Sequence, residues 1–198
     1  MAGSGRSPAA SEAGMMRHLP NLLSALRLLA APFAAWAILT SHDTAALLVF
    51  AAAGLSDGLD GFIARRWQVT SSFGAWLDPA ADKLLMLLCL TALYAVRAAP
   101  LWLLALVVAR DGAIAAGWLL IKGLGLPIAV RPLFLGKAST VMQILYIFTL
   151  LLLLAFDLDE PRLALAASWA CGVLVILSAA AYAGHFLRRL FAGRPFAS

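Results

Sequence analysis

Long apolar runs, separated by short polar breaks, restrict the fold of this sequence more than any other feature. Of the 198 residues, 63% are hydrophobic and 13% are charged, which is more apolar surface than a soluble domain can bury. A helix needs about 20 mostly apolar residues to cross the hydrocarbon core of a bilayer. Six stretches reach that length, at residues 22–40, 45–64, 73–95, 101–121, 138–156 and 163–186. The sequence therefore predicts an all-α polytopic membrane protein, folded as a six-transmembrane-helix bundle.

The first residues differ in composition from the rest of the chain. Residues 1–14 are rich in Ser, Ala and Gly and have no apolar periodicity, which predicts a disordered N-terminal tail. Residues 15–198 are then expected to form one membrane domain. The run after Arg17 also has the charge order of a signal peptide, but it is long enough to span, so we expect it to be retained.

Basic residues are unevenly placed along the chain, and this predicts its orientation. With the N-terminus in the cytoplasm, nine Lys and Arg residues fall at one set of span ends: Arg17, Arg65, Arg66, Lys122, Arg131, Lys137, Arg188, Arg189 and Arg194. The opposite ends hold Arg97 and Arg162 beside four acids. The positive-inside rule then places both termini in the cytoplasm. No basic run is interleaved with aromatic residues, so the net charge of +5 does not predict a nucleic-acid partner.

Four of the ten acidic residues lie within a single stretch of 26 residues, in the second and third predicted spans. Asp57 and Asp60 are three residues apart, and Asp78 and Asp82 are four apart, so each pair is expected on one helical face. The short turn at residues 66–72 allows the two helices to run antiparallel with those faces opposed. We therefore expect four carboxylates to converge at the cytoplasmic end of the bundle.

Carboxylates at membrane depth cost about 2.5 kcal/mol or more each, and neighbouring like charges raise that cost. Divalent cations prefer carboxylate oxygens, so the cluster predicts a metal site able to hold a diphosphate. The alternative is structural: the acids would cap helices or pair with Arg65, Arg66 and Lys83. Asp78, directly before Pro79, fits an N-cap.

The same residues carry a family resemblance. The pattern Asp57-x2-Asp60-Gly61-x2-Ala64-Arg65-x8-Gly74-x3-Asp78-x3-Asp82 resembles the complete signature of the CDP-alcohol phosphatidyltransferases, with all eight fixed positions present. The resemblance implies a homodimeric enzyme that transfers a phosphatidyl group from CDP-diacylglycerol to an alcohol and releases CMP. We expect it in a bacterial cell (inner) membrane, with the active site at the cytoplasmic face.

The resemblance also implies roles for the signature residues. Two Mg²⁺ or Mn²⁺ ions would be bound by Asp57, Asp60 and Asp78. Asp82 would lie near the metals, as a further candidate ligand, and would act as the catalytic base. The CDP moiety would be accommodated by the remaining positions of the signature: Gly61, Ala64, Arg65 and Gly74.

The acceptor alcohol is indicated less directly. Arg110 and Asp111 fall in the middle of the fourth span, where they either neutralise one another or a charge of another span, or contact a phosphate of the acceptor. Arg131 and Lys137 precede the fifth span and are candidates for the same phosphate. The segments at residues 109–111 and 131–140 are more similar to the cardiolipin-forming branch of the family than to the phosphatidylglycerophosphate-forming branch. This similarity implies phosphatidylglycerol as acceptor, with glycerol 3-phosphate as the alternative.

Two other classes of protein share part of this pattern. Pairs of Asp in spans also mark ion paths in cation transporters, but the sequence has no internal repeat and its acids cluster at one membrane face. An intramembrane prenyltransferase would carry its two acidic motifs on distant helices. The clustering within 26 residues therefore favours the phosphatidyltransferase interpretation.

Overall fold

The described residues form six helices. The computed structural model describes the backbone of residues 25–67, 74–123 and 133–191 and, within these ranges, the side chains of residues 25–56, 80–120, 123 and 133–185. The helices are α1 (Ala25–Leu39), α2 (Asp43–Trp67), α3 (Gly74–Ala95), α4 (Leu101–Gly123), α5 (Phe134–Ala155) and α6 (Pro161–Phe191). The described ranges contain no β-strand, and the all-α prediction is confirmed. The predicted N-terminal tail lies outside the described residues.

Within the residues that the structure describes, three helices are long and apolar enough to cross a membrane. Judged by length and composition, these segments are Leu101–Leu120, Phe134–Ala155 and Pro161–His185. Only 17% to 33% of the residues in their most apolar windows are buried within the chain. Apolar surface that does not face a protein core suits contact with lipid. The described parts of α1 and α2 give shorter apolar segments, Ala25–Leu39 and Asp43–Ser56, so the full set of six spans stays a prediction.

The start of α5 differs from the sequence prediction. The helix begins at Phe134 rather than at residue 138, because Leu133 adopts an extended backbone and its carbonyl accepts the first hydrogen bonds. The amides of Gly136 and Lys137 donate to that carbonyl at 3.0 and 3.3 Å. Lys137 therefore lies inside the first turn of the helix rather than before it.

Helices α1, α3 and α5 end in the same way. Ser41, Arg97 and Asp157 have positive φ angles of 58°, 63° and 50°, the left-handed conformation that closes a helix C-terminus. The amide of the next residue then donates to a carbonyl five residues earlier: His42 to Ala37 at 2.8 Å, Ala98 to Leu93 at 2.9 Å and Leu158 to Leu153 at 2.8 Å. These Schellman motifs satisfy the last carbonyls and allow short connections to α2, α4 and α6.

The chain forms two compact units, divided between Ala92 and Leu93. In the first unit, the buried positions of α1 lie three or four residues apart, except for one adjacent pair: Arg27, Ala31, Ala34, Ala37 and Ile38. This stripe is the face that a helix presents to its neighbours, and its alanines allow close approach. One member of the stripe is a charged residue, Arg27.

In the second unit, α4 and α5 both pack against α6. The contact between α4 and α6 requires a glycine, because a Cβ on Gly172 would lie 2.6 Å from Cζ3 of Trp102. Trp102 also packs on Trp169, with ring centroids 5.1 Å apart. The buried face of α6 carries Ser168, Cys171, Val175 and Ser178, so polar groups alternate with apolar ones along it.

Candidate active site

The helices place the signature acids as the spacing predicts. Asp57 and Asp60 lie three residues apart within α2, and Asp78 and Asp82 lie four residues apart within α3. Of these four side chains, the structure describes that of Asp82. The convergence of all four carboxylates therefore stays a prediction.

The predicted CDP-binding positions belong to the same two helices. Gly61, Ala64 and Arg65 lie in the C-terminal part of α2, and Gly74 is the first residue of α3. Their surroundings lie outside the described side chains, and their roles stay predictions.

Asp82 is held by an arginine from another helix. Nη1 of Arg27 in α1 donates to Oδ1 of Asp82 at 2.7 Å. The Arg27 side chain is 2% exposed and that of Asp82 is 35% exposed, so the arginine is buried and the carboxylate is half-buried. A buried guanidinium needs an anionic partner, because removal from water without one is costly. The pair therefore fixes the start of α3 against α1.

Arg27 is the functional candidate that the sequence analysis missed. Its partner is 55 residues away, on a helix that the sequence alone does not place beside α1. A signal was nevertheless present, since a single charge within the apolar run at residues 22–40 is rare unless it has a partner.

A second buried arginine lies in the other unit. Arg110 is 7% exposed, and its Nη1 donates to Asp111 at 2.6 Å. Its Nη2 donates to Oγ of Ser178 in α6 at 2.8 Å. The guanidinium carbon also lies 5.8 Å from the centre of the Tyr182 ring, within cation–π range. The two residues thus pair with one another, one of the two alternatives left open by the sequence, and α6 supplies contacts that the sequence did not indicate.

Tyr182 connects this arginine to the start of α5. Its hydroxyl accepts a hydrogen bond from the amide of Leu133, at 3.4 Å. A Cβ on Gly136 would lie 2.8 Å from the same hydroxyl oxygen, so the phenol fits only against a glycine. The side chain of Lys137, one residue later, is exposed. Arg131 lies outside the described residues.

The oxygen donors of the signature acids suit the metal ions that the signature implies. Asp57, Asp60 and Asp78 supply hard carboxylate oxygens, which Mg²⁺ and Mn²⁺ prefer. Among the side chains that the structure describes, no group of three or more His, Cys, Asp or Glu is close enough to hold a metal. Three of the four signature acids lie outside these described side chains. Oδ1 of Asp82, the carboxylate that is described, is already bonded to Arg27.

Comparison with known proteins identifies the family. Residues 17–180 match the CDP-alcohol phosphatidyltransferase family, which is most of the chain. The chain belongs to this family, as the signature resemblance predicted. The apolar helices and the family together mark it as an integral membrane protein.

The chain is similar to proteins of two kinds, named as cardiolipin synthases and as glycerol-3-phosphate phosphatidyltransferases. The chain is 42% identical over 141 residues to the CMP-forming cardiolipin synthase of Streptomyces coelicolor, covering 68% of this chain and 65% of that protein. It is 30% identical over 187 residues to the rat cardiolipin synthase, covering 86% and 62%. It is 35% identical over 145 residues to the CDP-diacylglycerol–glycerol-3-phosphate 3-phosphatidyltransferase of Sodalis glossinidius, covering 69% and 78%. The chain thus spans less than two thirds of the length of either cardiolipin synthase.

Proposed function

We propose that this chain is a metal-dependent phosphatidyltransferase that uses CDP-diacylglycerol, joins its phosphatidyl group to an alcohol and releases CMP. The observation that carries the proposal is the full eight-residue signature, placed on α2 and α3 of a chain that matches the family over residues 17–180. The names of the relatives, which include both cardiolipin synthases and glycerol-3-phosphate phosphatidyltransferases, support it further.

The proposed reaction assigns Asp82 the role of proton acceptor. Its carboxylate takes the proton of the acceptor hydroxyl, because an alcohol is a poor nucleophile until it is deprotonated. The hydroxyl oxygen then forms a bond to the phosphorus that carries diacylglycerol, and the bond from that phosphorus to the oxygen of CMP breaks. Bound Mg²⁺ or Mn²⁺ would supply positive charge that stabilises the diphosphate and the departing CMP.

Other signature residues bind and orient the nucleotide lipid. Asp57, Asp60 and Asp78 would hold the two metal ions. Four further positions would accommodate the CDP moiety: Gly61, Ala64, Arg65 and Gly74. Three of these four have small side chains, which leaves room for a bulky headgroup close to the helix backbone.

We favour phosphatidylglycerol as the acceptor, which would make cardiolipin the product, with glycerol 3-phosphate as the alternative. The names of the Streptomyces and rat relatives support the first and that of the Sodalis relative supports the second. Of the three candidate phosphate ligands, Arg110 is already bonded to Asp111 and Ser178, whereas Lys137 is exposed. We therefore expect Lys137, with Arg131, to contact the phosphate and Arg110 to hold α4 against α6.

The finer membrane arrangement is part of the same proposal. We infer six spans, both termini in the cytoplasm, a homodimer, and a bacterial inner membrane with the active site at its cytoplasmic face. The asymmetry of Lys and Arg along the sequence supports the orientation. The family resemblance supports the dimer.

Product analysis tests the proposal. Purified protein in lipid nanodiscs would be incubated with Mg²⁺ and CDP-diacylglycerol plus either phosphatidylglycerol or glycerol 3-phosphate, and the lipid product identified by mass. We expect CMP and cardiolipin with phosphatidylglycerol, and no new lipid with glycerol 3-phosphate. Phosphatidylglycerophosphate formed while phosphatidylglycerol goes unused would overturn the choice of acceptor. No CMP from either mixture, or from other alcohols, would overturn the enzyme assignment.

A further inference from the structure

The contact between Arg27 and Asp82 joins a buried cation to one of the proposed catalytic residues. Arg27 is 3% exposed and lies on the buried stripe of α1, between the start of the helix and Ala31. Asp82 lies in the N-terminal part of α3, next to the buried Ala81. The two residues therefore do not form a surface ion pair, the kind whose contribution to stability is small and screened by salt.

If the four signature acids converge as predicted, they carry more negative charge than one arginine balances, and Arg27 then does more than hold two helices together. The signature brings four acids to α2 and α3, whereas a purely structural ion pair would need only one. Like charges brought close together repel, and the repulsion is strongest where water is scarce. A guanidinium that binds one of the four carboxylates lowers that repulsion.

The shape of the guanidinium also restricts the geometry of its hydrogen bonds. It is planar, carries its donors in a fixed fork, and remains charged under all ordinary conditions. A bond of 2.7 Å from Nη1 to Oδ1 therefore fixes where the Asp82 carboxylate points. A lysine ammonium would keep the charge but would hold the carboxylate with less directional control.

We propose that Arg27 is a positioning residue of the active site, which orients the Asp82 carboxylate as proton acceptor and offsets one negative charge of the acidic cluster. The proposal rests on the proposed function for the role of Asp82 itself. It adds α1, which carries none of the signature residues, to the elements that build the site.

The test uses the full-length protein and five variants: Arg27→Gln, Arg27→Lys, Asp82→Asn, the double variant Arg27→Gln/Asp82→Asn, and Arg162→Gln. Arg162 lies at the exposed start of α6 and serves as the control for loss of an arginine. Turnover of CDP-diacylglycerol is measured with Mg²⁺, and KM for CDP-diacylglycerol is measured separately. Thermal unfolding midpoints are recorded in detergent with a chelator, so that this second readout needs no metal and no turnover.

We expect Arg27→Gln to lower kcat by about 10- to 100-fold, as loss of a group that orients a catalytic residue does elsewhere. KM should change by less than about threefold, because the change acts on the chemical step rather than on lipid binding. Arg27→Lys should recover part of kcat, and the control should behave as wild type. In chelator, each single variant should lower the midpoint by about 3 to 6 °C, and the double variant should lose no more than the worse single one, since coupled partners are not additive.

Three results would overturn the proposal. Full turnover by Arg27→Gln would show that the pair is structural only. Midpoint losses that add in the double variant would show that the two residues are not coupled. Equal kcat values for Arg27→Lys and Arg27→Gln, in variants that both unfold at the wild-type midpoint, would show that the guanidinium does not orient the Asp82 carboxylate. If instead wild-type protein releases no CMP with any alcohol, the proposed function fails and the positioning role fails with it. The unfolding midpoints would still show whether Arg27 and Asp82 stabilise the protein as a coupled pair.

Discussion

Two buried arginines in the described part of the chain are held in different ways. Arg27 pairs with an acid from another helix, 55 residues away, and that acid belongs to the family signature. Arg110 pairs with the adjacent residue Asp111, and its contacts to another helix are a neutral hydroxyl and an aromatic ring. One arginine is thus tied to the proposed chemistry, and the other is neutralised locally and serves as a link between helices.

The comparison shows that a charge within an apolar run does not define its own role. Charged residues within membrane spans usually have a function, and the residue that each one binds indicates whether that function is in catalysis or in helix packing. For Arg110 the partner is visible in the sequence, because adjacent opposite charges are an obvious pair. For Arg27 the partner appears only when α1 and α3 are packed together.

The largest effect should come from Asp82, one of the two acids that these arginines bind. Asp82→Asn should lower turnover by about 100- to 10,000-fold, since the amide cannot take a proton from the acceptor. Asp111→Asn is the matched change and should lower turnover by less than about tenfold, because Asp111 is expected to neutralise Arg110 rather than to react. CMP release measured at saturating CDP-diacylglycerol compares the two variants. Similar losses in both would remove the contrast between the arginines.

The next effect concerns Tyr182, which packs against Arg110. Gly136→Ala should destabilise the protein by about 1 to 3 kcal/mol, because the new methyl group would lie 2.8 Å from the Tyr182 hydroxyl. Gly117→Ala is the matched control, since a Cβ there meets nothing within 4 Å. The control should be neutral or stabilising by up to about 1 kcal/mol, from the helix propensity of alanine. Unfolding midpoints in detergent measure both, and an unchanged midpoint for Gly136→Ala would show that Tyr182 does not depend on the glycine.

A comparison of Lys137 with Arg110 tests whether acceptor binding and helix packing in the second unit depend on different residues. Lys137→Ala should raise the apparent KM for phosphatidylglycerol by about tenfold, or about 1.4 kcal/mol, with little change in KM for CDP-diacylglycerol. An interaction with the ground state of one substrate affects chiefly its own binding. Arg110→Ala should instead lower the unfolding midpoint. A larger KM effect from Arg110→Ala than from Lys137→Ala would reverse the roles assigned to them.

The smallest effect lies away from both arginines, at a helix end. Arg97 has a φ of 63°, which costs a residue with a Cβ about 1 kcal/mol and costs glycine almost nothing. Arg97→Gly should therefore raise the unfolding midpoint slightly and leave turnover unchanged. Arg162→Gly, at the exposed start of α6, is the control, because it removes the same charge without relieving a positive φ angle. A lower midpoint for Arg97→Gly than for the control would contradict the backbone argument.

The sequence predicted the helices well because apolar runs and helical spacing are local properties. Each of the six predicted runs overlaps a helix, and the signature acids belong to α2 and α3. The start of α5 was placed four residues late, since Gly136 and Lys137 resemble a polar break. Only the packed structure shows that Tyr182 lies against Gly136, inside the first turn of the helix.

Contacts between distant helices were not predictable in the same way. Ser178 and Tyr182 look like ordinary polar residues of an apolar helix, and their link to Arg110 depends on how α6 faces α4. Arg27 was passed over because its charge alone did not identify Asp82 as a partner. In both cases the missing information was which helix faces neighbour one another, and a single sequence does not contain it.

Metal dependence tests the central claim most directly. Purified protein with CDP-diacylglycerol and phosphatidylglycerol would be assayed for CMP in excess chelator, and again after Mg²⁺ or Mn²⁺ is restored. We expect no CMP release in chelator and full recovery on addition of metal, because Asp57, Asp60 and Asp78 are expected to hold the divalent cations that bind the diphosphate. Undiminished CMP release in excess chelator would contradict the proposed metal-dependent chemistry.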